Sequence, residues 1–128
     1  MARGYTVVTA ALAVGTSVKW IDNVLSHFSI PGVTQSRQGV ARRISADAIL
    51  RLQVIGALSE RVGIPIEIAV EGAGDLTLEG RWDLGKGLSL VLDRNVMLPD
   101  LESRLEYAVE AAPLPRRGRP PGKAKRGA

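Results

Sequence analysis

The sequence predicts a mainly α-helical fold with small β elements, and three observations carry that prediction. Apolar residues recur at helical spacing in five stretches, which puts them on one face of a helix each time. Serine or threonine stands ahead of three of those stretches, where a side-chain oxygen caps the first free amides. Between them lie glycine and proline pairs and short apolar runs, the marks of turns and brief strands.

In chain order, Thr6 caps a first helix in which Val7, Ala10, Ala11 and Val14 share a face, and Gly15-Thr16 ends it. Ser17 caps a second helix with Val18, Ile21, Leu25 and Phe28 inward, and Pro31-Gly32 stops it. Helix, short turn, helix is the layout of a helix-turn-helix, with glycine where the turn needs a permissive backbone. Residues 33–43 are polar and poor in helix formers, and read as a hairpin, or wing, flanked by 30–33 and 40–44. Ser45 caps the strongest helix, with Asp47 near its positive end and Gly63 closing it. Its apolar stripe is Ile49, Leu52, Val54 or Ile55, Leu58 and Val62. A shorter helix runs from Ile64-Pro65 to about Val70, and Gly72-Ala73-Gly74 marks a boundary. Beyond it, Leu76-Thr77-Leu78 and residues 88–92 read as two strands around the loop 80–87. Pro99 opens a last helix on Leu98, Leu101, Leu105, Ala108 and Val109. The expected organisation is a winged helix-turn-helix over 1–72, a β-hairpin plus helix over 73–112 and a basic tail over 113–128.

Charge is distributed in three blocks. Residues 1–66 carry seven basic groups against three acidic, residues 67–112 four against ten, and residues 113–128 six against none. A basic head and a basic tail around an acidic middle predict two surfaces for a polyanion. Cysteine is absent, which excludes disulfides, thiolate metal sites and cysteine nucleophiles. No apolar run reaches the ~20 residues of a membrane span and no signal peptide is evident, so the expected residence is cytoplasmic and nucleoid-associated, with no membrane partner. Paired carboxylates, an activated nucleophile and a phosphate loop are all missing, so no enzyme activity and no cofactor are expected.

Tyr5-Thr6, Ala10-Ala11, Val14-Gly15, Ser17, Ile21, Ile30-Pro31, Arg42-Arg43, Ser45, Leu52, Ile55, Leu58 and Gly63 follow one another in a familiar register. On these residues the segment 5–69 resembles the winged helix-turn-helix domain of the mercury-resistance-regulator (MerR) family. The resemblance implies that the second helix enters the DNA major groove and that the wing's basic pair grips the backbone. Asp22, Asn23 and Val24 stand where the family has arginine and two aromatics, and Ile44 replaces a tyrosine. The family's long dimerising helix and metal-sensing cysteines have no counterpart, so the resemblance carries fold further than specificity.

The residues themselves point the same way. Burying Val18, Ile21, Leu25 and Phe28 leaves Lys19, Asn23 and Ser26 facing out, with Trp20 and His27 on the flank. Lysine suits phosphate or guanine, and an asparagine amide suits the adenine edge. Ser17, Lys19, Trp20 and Asn23 are therefore the expected contacts of the second helix, and Arg37, Gln38, Arg42 and Arg43 those of the wing. Guanidinium groups match phosphate oxygens in pairs. His27 has no second ligand near it in the sequence, so no metal site is expected.

In the tail, Arg117-Gly118-Arg119-Pro120 is similar to the core of an AT-hook. Glycine lets an extended backbone approach the floor of a narrow A·T minor groove while the flanking arginines lie along it. The alternative is a generic basic arm. Taken together, a sequence-specific double-stranded DNA-binding regulator of transcription is the expected function. A winged-helix protein-interaction module and a nucleoid architectural factor are the rivals. The leucines at 76, 78, 88, 90, 92, 101 and 105 predict a homodimer through 75–112, and packing back onto the first domain is the monomeric alternative. No small-molecule effector is expected.

Overall fold

The computed structural model describes residues 4–35 and 41–111. The described chain is mainly helical with two small antiparallel sheets. A short strand β1 (Gly4–Tyr5) leads into α1 (Val7–Val14) and α2 (Val18–His27). Strands β2 (Val33–Thr34) and β3 (Arg43–Ser45) precede α3 (Ala46–Ala57), which continues as a π-helical turn over Leu58–Val62. Then come α4 (Ile66–Glu79), strands β4 (Arg81–Gly85) and β5 (Leu88–Val91), and α5 (Arg94–Ala111).

The helix starts follow the caps read from the sequence. Thr6 Oγ1 accepts from the Thr9 amide at 3.1 Å, Ser17 Oγ from Trp20 at 3.0 Å and Ser45 Oγ from Ala48 at 3.1 Å. Gly15 closes α1 in the left-handed region at φ 84°, its amide reaching the Ala11 carbonyl, and this leaves the short turn into α2. On α2, Ile21 and Val24 are the buried residues, while Val18, expected inside, is exposed. Ile21, Leu25 and Phe28 of the expected stripe pack on the core, and the stripe widens to take in Val24 while Val18 is left outside it.

β3 is central in a three-stranded sheet of order β1-β3-β2, with Val33 opposite Ile44 and Tyr5 opposite Ile44 on the other side. The hairpin β2–β3 sits where the wing was expected. β1 went unread because two residues are too short to show an alternating pattern. Ile44 is fully buried, so it anchors the sheet against α3.

α3 is the spine of the core: Ala48, Ile49, Leu50, Leu52, Val54 and Ile55 are all buried on it. Such burial exceeds one stripe because α1 covers one side and α4 another. Val62, expected in that stripe, is exposed, since the π-helical turn carries it out of register.

The largest departures lie beyond residue 65. The expected boundary at Gly72-Ala73-Gly74 falls inside α4, and Leu76-Thr77-Leu78 is helix rather than strand. These small residues make contacts instead of a break. A Cβ built on Gly72 would collide with the Trp82 ring, Ala73 is fully buried, and one on Gly74 would sit 3.3 Å from the Arg51 guanidinium. Close packing therefore outweighs the cost of glycine in a helix, roughly 1 kcal/mol each. The helix ends only at Gly80, at φ 76°. The hairpin follows it, β4 occupying part of the expected loop, with Lys86 and Gly87 both at positive φ as a two-residue hairpin turn requires.

α5 begins at Arg94 and holds Pro99 inside it, instead of starting there. The Asp93 carboxylate accepts from the Asn95 amide at 3.1 Å and the Asp93 carbonyl starts the ladder, so the helix is capped one turn earlier. Leu101, Leu105 and Ala108 are buried, and α5 packs along α1, whose buried residues Thr9, Ala10, Ala11 and Ala13 are all small. Leu76, Leu101 and Leu105, assigned to self-association by the sequence, thus join the same core cluster as Ile21 and Ile49. Leu78, Leu84, Leu88, Val91, Val96, Tyr107 and Val109 are the large exposed apolar residues of that region. Among the described residues no helix is long and apolar enough to cross a membrane.

Candidate nucleic-acid interface

Burying Ile21 and Val24 fixes which face α2 offers to solvent. Lys19, Asn23 and Ser26 are exposed, one and two turns apart on that face. Ser17 is exposed at the helix start, its oxygen held by the Trp20 amide. His27 is also exposed and its Nδ1 lies 2.8 Å from the Asn23 carbonyl, so the ring is held along the helix end. Trp20, expected to flank the contact face, is half-buried with the edge of its ring over Gly56 of α3. Its main contact is packing, because residue 20 lies one turn before the buried Val24 on the same side of α2.

The basic pair at the base of the hairpin separates. Arg42 reaches α2: its Nη1 donates to Asp22 Oδ1 at 3.1 Å and its Nη2 to Ser26 Oγ at 3.5 Å. Arg43 lies the other way, its aliphatic stem against Gly4 of β1. Consecutive residues entering a strand point to opposite faces, so two adjacent arginines do not form one clamp. Among the described residues Arg43 has no ion-pair partner and is exposed, so its charge is available.

Asp22 is the residue whose role sequence reasoning missed. It binds the hairpin's arginine and is half-exposed, at 48% for its side chain against 24% for Arg42. Exposed ion pairs contribute little stability, so the tie matters for orientation: it joins the hairpin to the outward face of α2. The signal was present as an acid on an otherwise basic face, but the partner lies twenty residues away. Arg37 and Gln38 of the wing, and Arg117, Gly118, Arg119 and Pro120 of the tail, lie outside the described residues.

No protein-family model matches the chain, and neither a curated protein nor a solved structure matches it.

Proposed function

We propose that residues 5–69 form a winged helix-turn-helix and that the chain is a non-enzymatic, sequence-specific regulator of transcription that binds double-stranded DNA. In this reading α2 enters the major groove, the β2–β3 hairpin is the wing, and the basic tail lies in the minor groove. The carrying observation is the surface shared by α2 and the hairpin. Lys19, Asn23 and Ser26 face outward together on a helix anchored by Ile21 and Val24 and tied to the hairpin through Arg42 and Asp22. A reading element needs that rigidity, since base contacts work only at fixed geometry. A second copy docking on Leu78, Leu88, Val91 and Val96 would supply the paired half-sites usual for such readers.

Binding-site selection followed by footprinting tests this reading. A protected site with two-fold repeated halves is the expected result. Uniform coverage would favour an architectural factor, and no protection an interaction module. On the selected site, Asn23→Ala should cost about 1–3 kcal/mol and relax choice at one position. Of the Arg42→Ala, Arg43→Ala double variant, the loss of Arg43 should weaken all duplexes about equally, because phosphate contacts carry no sequence, while the loss of Arg42 unties the hairpin from α2 and should lower site discrimination as well. A double variant that binds as well as wild type at moderate salt removes the hairpin from the interface.

The tail gives an independent test. It holds six of the seventeen basic residues, and each phosphate neutralised adds roughly 0.9 to the log–log salt slope. Deleting residues 113–128 should reduce that slope by about 2–4 and leave site preference intact. Gly118→Val should remove much of the gain on A·T-flanked sites if the Arg117-Gly118-Arg119-Pro120 core acts as a hook, and almost none if it is a generic arm. A folded, truncated protein that binds no DNA at any salt would contradict the role given to α2.

A further inference from the structure

A groove of about 720 Å³ runs along the C-terminal half of α5, between that helix, Tyr5 of β1 and the start of α3. Tyr5, Leu105 and Val109 give it an apolar floor, and Glu102, Glu106 and Glu110 give it charge. Among the described residues no basic group lines it. The three glutamates recur every fourth residue and are exposed, so they form one acidic stripe along α5. Among the described residues none of them has an ion-pair partner. Arg104, the one basic residue of α5 beyond its first, is turned away to Asp100 at 3.1 Å and to the Ala13 carbonyl at 3.5 Å.

That stripe costs the helix stability twice. Like charges four residues apart repel one another. Glu106 and Glu110 also stand near the C-terminal end of α5, where the helix dipole is negative and no basic residue occupies the last turn. A cationic segment lying on the stripe relieves both, and the chain supplies one directly after the helix. Residues 113–128 carry six basic groups and no acidic one. The six steps from Ala111 to Arg117 span up to about 20 Å when extended, enough to turn back past Glu110. Successive glutamates of the stripe are about 6 Å apart along the axis. Arg117 and Arg119 are spaced about equally on an extended, proline-rich strand rising ~3.1 Å per residue. Leu114, the tail's single large apolar side chain, precedes the arginines and suits the apolar floor.

We propose that residues 113–128 dock back along this groove of their own chain. Leu114 lies against Val109 and Tyr5, and Arg116, Arg117 and Arg119 pair with the glutamate stripe. The same arginines are assigned to the minor groove above, so in the free protein α5 holds them and a duplex has to draw them away. The docking itself stands on groove and charge alone, without the DNA-binding reading.

A test without DNA keeps the two apart. The chain has no cysteine, so Gly122→Cys accepts a single nitroxide on the tail of the full-length protein. At about 10 mM salt, with a screening length of about 30 Å, the amide signals of Tyr5, Ala46 and Leu105 should fall below about half their intensity in the reduced, diamagnetic sample. At about 1 M salt, with a screening length of about 3 Å, they should recover. Glu102→Gln, Glu106→Gln and Glu110→Gln together should restore them at low salt, although the tether is unchanged. All three sites are exposed, so the variant keeps its fold. Signals that stay sharp at low salt in the chain with its glutamates intact, or broadening that survives the three substitutions, overturn the assignment. Broadening passed only from a labelled chain to an isotope-marked, unlabelled one overturns it as well, and gives the groove to the tail of a second copy.

Discussion

Leu101→Ala is expected to lower the free energy of unfolding by about 3–5 kcal/mol, the upper part of the range for truncating a buried leucine. Leu101 is 1% exposed and stands with Leu105 and Ala108 on the face that α5 lays against α1. The buried residues of α1 are Thr9, Ala10, Ala11 and Ala13, short side chains that cannot extend into the space a lost isobutyl group leaves. The cavity therefore stays open and the cost stays high. A domain of this size has a total stability of only about 5–15 kcal/mol, so a substantial part of the native population is at stake. Urea unfolding followed by circular dichroism measures the loss, with Leu88→Ala as control. Leu88 is 63% exposed, and its truncation should change stability by about 0.5 kcal/mol or less. A loss below about 1 kcal/mol at Leu101 would mean that α5 is not docked on the N-terminal helices. A loss that shrinks as protein concentration rises would instead make the helix part of a self-association surface.

Gly72→Ala sets two effects against each other. Alanine in place of glycine within a helix should stabilise it by roughly 1 kcal/mol. Here the added methyl would collide with the Trp82 ring, which lies directly over the α4 backbone. Displacing a nearly buried indole from a packed position costs about 1–3 kcal/mol, occasionally more, so overpacking wins and the net change is destabilising. Trp82 is 9% exposed and pairs with Leu90 across the hairpin, so shifting it also disturbs β4–β5. Replacing the indole removes the collision: in a Trp82→Leu background the same Gly72→Ala change should become neutral or stabilising. A double-mutant cycle from thermal or urea unfolding isolates that coupling. If Gly72→Ala stabilises the wild-type chain, the close approach of ring and helix is wrong.

What was legible in the sequence is local. Thr6, Ser17 and Ser45 as caps, Gly15 and Gly63 as left-handed ends and the five helices follow from short-range rules, and each has its counterpart in the structure. A cap or a helix end involves residues within about one turn, so neighbours in sequence carry the whole signal. The outward placement of Lys19 and Asn23 was legible for the same reason, helical period alone setting it once Ile21 is inside.

Partners from distant segments decided the rest. Gly72-Ala73-Gly74 has the composition of a linker and became the middle of α4, because Trp82 and Arg51 need the space a side chain would fill. Pro99 resembles a helix start, yet Asp93 caps α5 one turn earlier and the helix accepts the proline to bring Leu101 and Leu105 onto α1. Asp22 has the charge of an outlier until Arg42 arrives from the hairpin. The sequence by itself determined the starts and caps of the helices that follow Thr6, Ser17 and Ser45, and the outward placement of Lys19 and Asn23 on α2. Only the tertiary structure decided whether glycines break or pack, which leucines are covered by the chain's own helices and where the arginine pair divides. Those outcomes depend on contacts between residues far apart in the chain, and no short-range rule contains them.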